Sequence, residues 1–238
     1  MKEHLNGIFW NTGAFEMNLL CSAKTNEICN SFRANLNHLT WNWLSLLENN
    51  PASLSQATTV LEGRASDDLN PFDAMQVKNF AYGAEFLLNL VKEQKFDLSV
   101  PIACNLHSKV GNHEALEWGR LRNAPVTLRN IKFCPPTANL LQIINNGFRY
   151  LEECISNPAE KAIATFLFVA RNQPFYDANK RAASLLMNGL LMKSGFFPIS
   201  IHPRNTWIFH AALGRFYETG DANPMFDLFL RLSHPCKL

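Results

Sequence analysis

Two cations stand where a helix disfavours them. Lys180 and Arg181 fall in the first turn of a helix predicted to run from about Asp177 to Ser194. The amino end of a helix carries roughly half a positive charge, so these cations cost on the order of a few tenths of a kcal/mol unless an anion binds. The unpaired backbone amides of that turn are anion ligands as well. The pattern therefore indicates a phosphate site, and solvated cations on a capped helix are the alternative.

The residues around these cations differ in what chemistry they can do. The carboxylate of Asp177 can cap the helix or ligate magnesium that is held by a phosphate, and its residue type leaves both roles open. The amide of Gln173 can orient a hydroxyl group but cannot accept its proton near neutral pH. His107 lies among the apolar neighbours of residues 102–110, which indicates a packing histidine rather than a base.

The elements that must position this segment are predicted to be helices. Apolar residues recur with a period of about 3.6 along most of the chain. Asn70 and Pro71 have the residue types that open a helix. Asn157 and Pro158 open another, and its residues 159–170 are apolar nearly all round, which is typical of a buried central helix.

The composition favours one compact domain. The chain has 238 residues, 47% of them hydrophobic, and 22 Lys+Arg against 20 Asp+Glu leave a net charge of +2. Without a long basic run, nothing indicates a nucleic-acid partner or a polybasic membrane anchor. The longest apolar run is far shorter than the ~20 residues that span a bilayer, so a cytoplasmic protein without a membrane partner is expected.

Residues 173–184 resemble the signature of the Fic/Doc family, H-P-F-x-[DE]-[GA]-N-[GK]-R-x-x-R. The matching residues are Pro174, Phe175, Asp177, Ala178, Asn179, Lys180 and Arg181. The resemblance implies an all-α Fic fold, which is a helical bundle with a small β-hairpin flap. It also implies ATP as substrate, magnesium, and transfer of AMP from ATP to a hydroxyl group of a target protein.

The resemblance gives the matching residues their roles. It implies that Asp177 binds magnesium by way of phosphate, and that Asn179 and Arg181 hold the phosphates. Ala178 and Lys180 complete the nucleotide-binding segment that the resemblance implies.

Two positions depart from the signature. Gln173 stands where the family has its catalytic His, and the loss of a general base costs ~10²- to 10⁴-fold in rate. Ser184 stands where the family has a second Arg that holds the nucleotide. We therefore expect AMP transfer to be weak or absent. Lys180 favours a Doc-like protein kinase as an alternative, and a non-catalytic Fic-fold regulator or interaction protein is the third hypothesis.

A second motif lies far upstream. Residues Thr58 to Gly63 resemble the inhibitory-helix motif [ST]-x-x-x-E-[GN] of Fic proteins, with Glu62 as its acidic residue. In the family this Glu pairs with the second Arg of the signature. Because Ser184 replaces that Arg, Glu62 is expected to point into the site and to pair with Lys180 or Arg181, which would make the protein autoinhibited. The alternative is that Glu62 is a plain surface carboxylate at a helix end that Gly63 closes.

The resemblance also divides the chain. Residues 1–95 are expected to form an amino-terminal helical extension that includes the inhibitory helix, and residues 96–238 the Fic core. A β-hairpin is predicted from Val126 to Phe133, and it corresponds to the family's flap, which holds a target protein by strand addition. A loop that closes over the core without a partner is the structural alternative. The expected partners are ATP and a target protein, and a homo-oligomer is left open.

Overall fold

The computed structural model describes residues 2–11, 20–66 and 68–232, and most of them are helical. Two short strands, β1 (Lys2–Leu5) and β2 (Ile8–Trp10), pair antiparallel. The helices are, in chain order, α1 (Thr25–Ala34), α2 (Leu36–Glu48), α3 (Leu54–Leu61), α4 (Pro71–Lys92), α5 (Val100–Val110), α6 (Leu140–Cys154), α7 (Pro158–Asn172), α8 (Asn179–Lys193), α9 (Thr206–Thr219) and α10 (Asn223–Leu232). The predicted helical class is confirmed. Within these ranges no helix combines the length and the apolar character needed to cross a bilayer.

Helix α7 lies at the centre of the core, as the sequence predicts. Its start is set locally, because Asn157 Oδ1 accepts hydrogen bonds from the N–H groups of Ala159 and Glu160, each at 3.0 Å. Pro158, which has no N–H to leave unpaired, fills the first helical position. All residues from 162 to 172 are buried, and α8 packs along α7 with a similarly buried surface.

The amino-terminal hairpin packs against the carboxyl-terminal part of the chain. The N–H of Phe9 donates to the carbonyl of Gly220 at 2.8 Å, and the N–H of Ala222 donates to the carbonyl of Phe9 at 2.8 Å. Inside the core, Trp10 Nε1 donates to Glu160 Oε1 at 2.7 Å. Buried side chains from this hairpin to α10 form one continuous core.

The hairpin predicted at residues 126–133 is not formed. The segment turns at Arg129 and Asn130, with Asn130 in the left-handed region at φ 59, but its two arms are not strands. The N–H of Lys132 donates instead to Glu218 Oε1 on α9 at 2.6 Å. The N–H of Ile131 donates to the carbonyl of Leu128 at 3.2 Å and closes this turn, but no further ladder bond joins the two arms among the described residues. The prediction of a hairpin at Val126 to Phe133 is therefore wrong, and the β-hairpin of the described residues is the one formed by β1 and β2.

Candidate functional site

The turn between α7 and α8 carries the signature-like segment, and Asn179 holds it closed. Asn179 Oδ1 accepts from the N–H of Phe175 at 2.8 Å, and Asn179 Nδ2 donates to the carbonyl of Phe175 at 2.9 Å. Gln173 ends α7 with φ 45, and Ala178 precedes α8 with φ 54, so both residues are in the left-handed region. These two turns bring the ends of both buried helices to one cavity.

The cavity has a volume of about 470 Å³ and lies at the amino end of α8. Its walls are the carboxyl end of α2, residues 126–131 without Asn130, the turn before α8, and α9. Four of the residues singled out in the sequence line it, namely Gln173, Asp177, Asn179 and Lys180. The structure thus brings these side chains together, as expected for residues of one local motif.

Arg181 is the main exception, because it does not line the cavity. Its side chain is 1% exposed, and Nη1 donates to the carbonyl of Val110 at 2.8 Å and to Glu114 Oε1 at 2.9 Å. Its Nε lies 3.3 Å from Glu48 Oε1. Burial disfavours the charged form, but Glu48 and Glu114 more than offset this and raise the pKa of Arg181. The expected phosphate-holding role of Arg181 is therefore corrected to a buried ion pair with two carboxylates.

Lys180 stays at the cavity but also has partners in the protein. Its Nζ donates to the carbonyl of Leu47 and lies 4.0 Å from Glu48 Oε1. Glu48 is the last residue of α2, and its side chain is 16% exposed. One carboxylate therefore offsets positive charge where the phosphates of a nucleotide were expected.

The side chain of Gln173 is bonded inside the protein. Gln173 Nε2 donates to the carbonyl of Ala170 at 2.6 Å, and Gln173 Oε1 accepts from Asn179 Nδ2 at 2.9 Å. An amide with these two bonds has no proton-accepting group for a substrate hydroxyl. The second departure from the signature, Ser184, is buried in α8 and donates from Oγ to the carbonyl of Arg181 at 2.8 Å.

Asp177 presents an exposed carboxylate to the cavity. Its Oδ1 accepts from the N–H of Ala178 at 2.6 Å, and Ala178 rather than Asp177 is the residue that precedes the helix. No cluster of three or more His, Cys, Asp and Glu suited to a metal ion is found in the described part of the chain. Magnesium that is carried by nucleotide phosphates usually takes only one or two protein carboxylates, so Asp177 fits such an ion.

The expected position of Glu62 is wrong. Helix α3 ends at Leu61, and the Glu62 side chain is 50% exposed and paired with Arg64, outside the cavity. Thr58 Oγ1 accepts from Asn37 Nδ2 at 3.5 Å, and Gly63 follows the helix end with φ 80. The end of α3 turns toward solvent, so the carboxylate that reaches the two cations is Glu48, which comes from the neighbouring helix.

His107 supports the signature turn from behind, and its interpretation as a packing residue is confirmed. His107 Nδ1 accepts from the N–H of Gly119 at 3.0 Å, which leaves the proton on Nε2 to donate to the carbonyl of Asp177 at 3.0 Å. The imidazole stacks on Phe175 with 3.8 Å between ring centroids. Burial lowers the pKa of His107 to about 4, so it is neutral at pH 7.

Several residues of the site carry no signal in the sequence. On α9, His210 and Tyr217 line the cavity. Burial and the Lys180 charge lower the pKa of His210, and burial and Glu48 raise the pKa of Tyr217. Glu48, His210 and Tyr217 are separated from the signature by long stretches of chain, so no spacing rule connects them. The sequence shows Glu48 only as an acidic residue after an apolar helical stripe, which does not indicate that it reaches the site.

Comparison with known proteins gives the class of this domain. Residues 97–191 match the model of the Fic/DOC family. "Protein adenylyltransferase Fic" of Drosophila melanogaster is 27% identical over 198 residues, which cover 80% of this chain and 38% of that protein. "Protein adenylyltransferase fic-1" of Caenorhabditis elegans is 26% identical over 186 residues, or 75% of this chain and 36% of that protein. The chain thus spans less than half the length of these curated relatives.

Solved structures give the fold. A structure of Fic-1 from C. elegans superposes with a TM-score of 0.76 at 20% identity, over 88% of this chain and 67% of that chain. A Fic domain containing signaling protein from Bacteroides thetaiotaomicron superposes with a TM-score of 0.69 at 18% identity, over 90% of this chain and 88% of that chain. IbpAFic2, in a structure covalently tethered to Cdc42, superposes with a TM-score of 0.51 at 14% identity, over 90% of this chain and 65% of that chain. These structures confirm the predicted Fic fold, and within it residues 97–191 are the part that matches the Fic/DOC family model.

Proposed function

We propose that this domain binds ATP with magnesium in the cavity at the amino end of α8 and transfers AMP to a hydroxyl group of a target protein, at a rate that Gln173 keeps low. The observation that carries the proposal is the convergence of Asp177, Asn179 and Lys180 on one cavity. The names of the sequence relatives support adenylyl transfer as the reaction of the family. In this proposal residues 96–238 are the Fic core and residues 1–95 its extension.

Each group at the cavity has a share in the proposed binding. The backbone N–H groups at the start of α8 and the charge of Lys180 attract the phosphates. Asp177 would hold a magnesium ion that is carried by the phosphates, and such an ion would supply neutralisation of phosphate charge when bound. Asn179 keeps the turn closed, and Gln173 leaves the target hydroxyl without a base, which is the physical reason for a slow reaction.

A protein target is supported by the open wall of the cavity. Residues 126–129 line it and belong to a segment with exposed positions at Thr127 and Arg129. The structural neighbour IbpAFic2 is tethered to the protein Cdc42. We propose that a target segment enters along residues 126–131.

Labelled ATP tests this function. We expect Gln173→His to increase labelling of the protein or of added targets from α-labelled ATP, because an imidazole with a pKa near neutral can accept the hydroxyl proton. The increase is ~10²-fold or more. Gln173→Ala is the control, since it changes the same position without supplying a base. Transfer of the γ-label instead would support the Doc-like kinase that Lys180 favours.

A non-catalytic regulator or interaction protein is the second candidate. The observation that favours it is the internal bonding of the site, where Arg181 is paired with two carboxylates and the Gln173 amide is bonded to Ala170 and Asn179. If Gln173→His binds ATP but transfers neither label, this candidate replaces adenylyl transfer.

A further inference from the structure

The side chain of Arg122 is buried against backbone carbonyls rather than carboxylates. It is 3% exposed. Its Nε donates to the carbonyl of Gln173 at 2.6 Å, Nη1 to that of Ala124 at 2.8 Å, and Nη2 to those of Pro136 and Asn172, the latter at 3.3 Å. Burial lowers the pKa of Arg122, which reflects the cost of placing a cation there. Because no described residue pairs this buried cation with a carboxylate, it needs another source of stabilisation.

That source is the carboxyl end of α7. The last carbonyls of a helix have no partner within the helix and carry about half a negative charge together. Asn172 and Gln173 are the last residues at this end. The planar guanidinium presents its donors as a fixed fork, so one side chain can reach both carbonyls and still have donors left. A lysine at this position would keep the charge but not the fork.

The other donors of the Arg122 guanidinium bond the two ends of the loop that forms one wall of the cavity. The carbonyls of Ala124 and Pro136 bracket the segment that provides residues 126–129 and Ile131 to the cavity wall. Beside the guanidinium, the backbone N–H of Arg122 donates to the carbonyl of Pro174 at 3.0 Å. Both ends of the wall segment are therefore joined to the α7–α8 turn through a single residue.

We infer that Arg122 is a positioning residue, which fixes the wall of residues 126–131 relative to Gln173 and Asp177 and thereby sets how a substrate segment can enter the cavity. It acts through the backbone of this wall and does not itself line the cavity. The part of this inference that concerns substrate entry rests on the proposed function. The part that concerns the wall does not.

Hydrogen–deuterium exchange tests the wall. We expect Arg122→Gln to speed exchange at the amides of Ile131 and Lys132, which are bonded to Leu128 and Glu218, by ~10-fold, because losing the bonds to Ala124 and Pro136 opens the segment more often. Peptides of α4 and α10 should keep their exchange rates. Arg122→Lys should speed exchange in the wall almost as much, since it lacks the fork. Arg120→Gln is the matched control, because Arg120 is exposed and lies in the same stretch of chain. Unchanged exchange in the wall, or equal loosening of all helices, overturns the inference.

Steady-state kinetics tests substrate entry. In a Gln173→His background, we expect Arg122→Lys to raise KM for the target protein by ~10-fold while kcat changes by less than ~3-fold, because the wall and not the reacting groups is disturbed. A fall in kcat at constant KM contradicts the positioning role. If the background variant transfers no AMP at all, the proposed function fails, and the exchange experiment alone decides the role of Arg122.

Discussion

Glu48 determines how much positive charge the cavity offers to a ligand. It lies within 3.3 Å of Arg181 Nε and 4.0 Å of Lys180 Nζ, and it lines the cavity. Glu114 also holds Arg181, and is itself bonded to Gln76 and Asn79 of α4. Glu114 is thus part of the buried structure, whereas Glu48 is the carboxylate that an incoming phosphate would meet.

The first prediction concerns this carboxylate. Glu48→Gln should tighten ATP binding by ~5-fold, because the amide removes one negative charge beside the phosphates, worth about 1 kcal/mol. Arg181 stays paired with Glu114, so the change leaves no buried cation unpaired. Isothermal titration calorimetry measures the effect. Glu62→Gln is the control, since Glu62 pairs with Arg64 outside the cavity, and an equal effect of both changes would contradict the assignment to Glu48.

At the scale of elements, α5 and the signature turn are joined by His107. The imidazole accepts from Gly119 and donates to the Asp177 carbonyl, an arrangement that exists only for the neutral ring. Protonation would turn the Gly119 contact into one between two donors. The attachment of the turn to α5 therefore depends on pH.

The second prediction follows from this attachment. The pKa of His107 is lowered from 6.5 to about 4, so the unfolded chain takes up the proton first as the pH falls. The free energy of unfolding should be at its full value above about pH 6.5 and should fall by up to ~3 kcal/mol as the pH approaches 4. Urea unfolding at several pH values measures the slope. His107→Gln should flatten it, whereas His38→Gln, at an exposed position, should not.

The sequence predicts those elements whose signals are local. Asn70 with Pro71, and Asn157 with Pro158, define helix starts by contacts within a few residues, and both predictions hold. The residues of the α7–α8 turn also meet at one cavity because they are adjacent in the chain. The hairpin at 126–133 forms only its turn, and its second arm is bonded to Glu218, which is 86 residues away and carries no local signal.

The contacts of the charged groups in the site could not be predicted, because they too join residues that are far apart in the chain. Glu62 carries the motif, but whether its side chain reaches Arg181 depends on the direction of α3, which no short motif specifies. Glu48 reaches Arg181 because α2 packs against α8. Arg122 meets its acceptors across 50 and 51 residues of chain. Such contacts follow from the tertiary fold and have no spacing of their own.

At the scale of the whole molecule, the amino-terminal hairpin is part of the core. Trp10 is fully buried and bonded to Glu160, which is 4% exposed at the start of α7. His4 stacks on Trp10 with 3.9 Å between ring centroids. The hairpin therefore contributes to the stability of the helix that carries Gln173 at its other end.

The third prediction tests that contribution. Trp10→Phe keeps most of the apolar volume but removes the donor to a buried carboxylate, so the free energy of unfolding should fall by about 2 kcal/mol. Trp207→Phe is the control, because Trp207 is 81% exposed, and it should change stability by less than ~0.5 kcal/mol. Urea unfolding followed by circular dichroism measures both. A loss limited to the hairpin, with α7 unaffected, would show that the hairpin is a separate unit.

The pairing of β2 with residues 220–222 also constrains the order of events during protein synthesis. Phe9 is bonded to segments that lie more than 200 residues further along the chain. The hairpin is local and can close within microseconds, long before translation, at ~5–20 residues per second, reaches those segments. Its outer edge therefore waits for the synthesis of more than 200 further residues before the backbone partner that covers it in the folded protein exists. The rate of translation, rather than the rate of hairpin closure, therefore determines when this edge becomes paired.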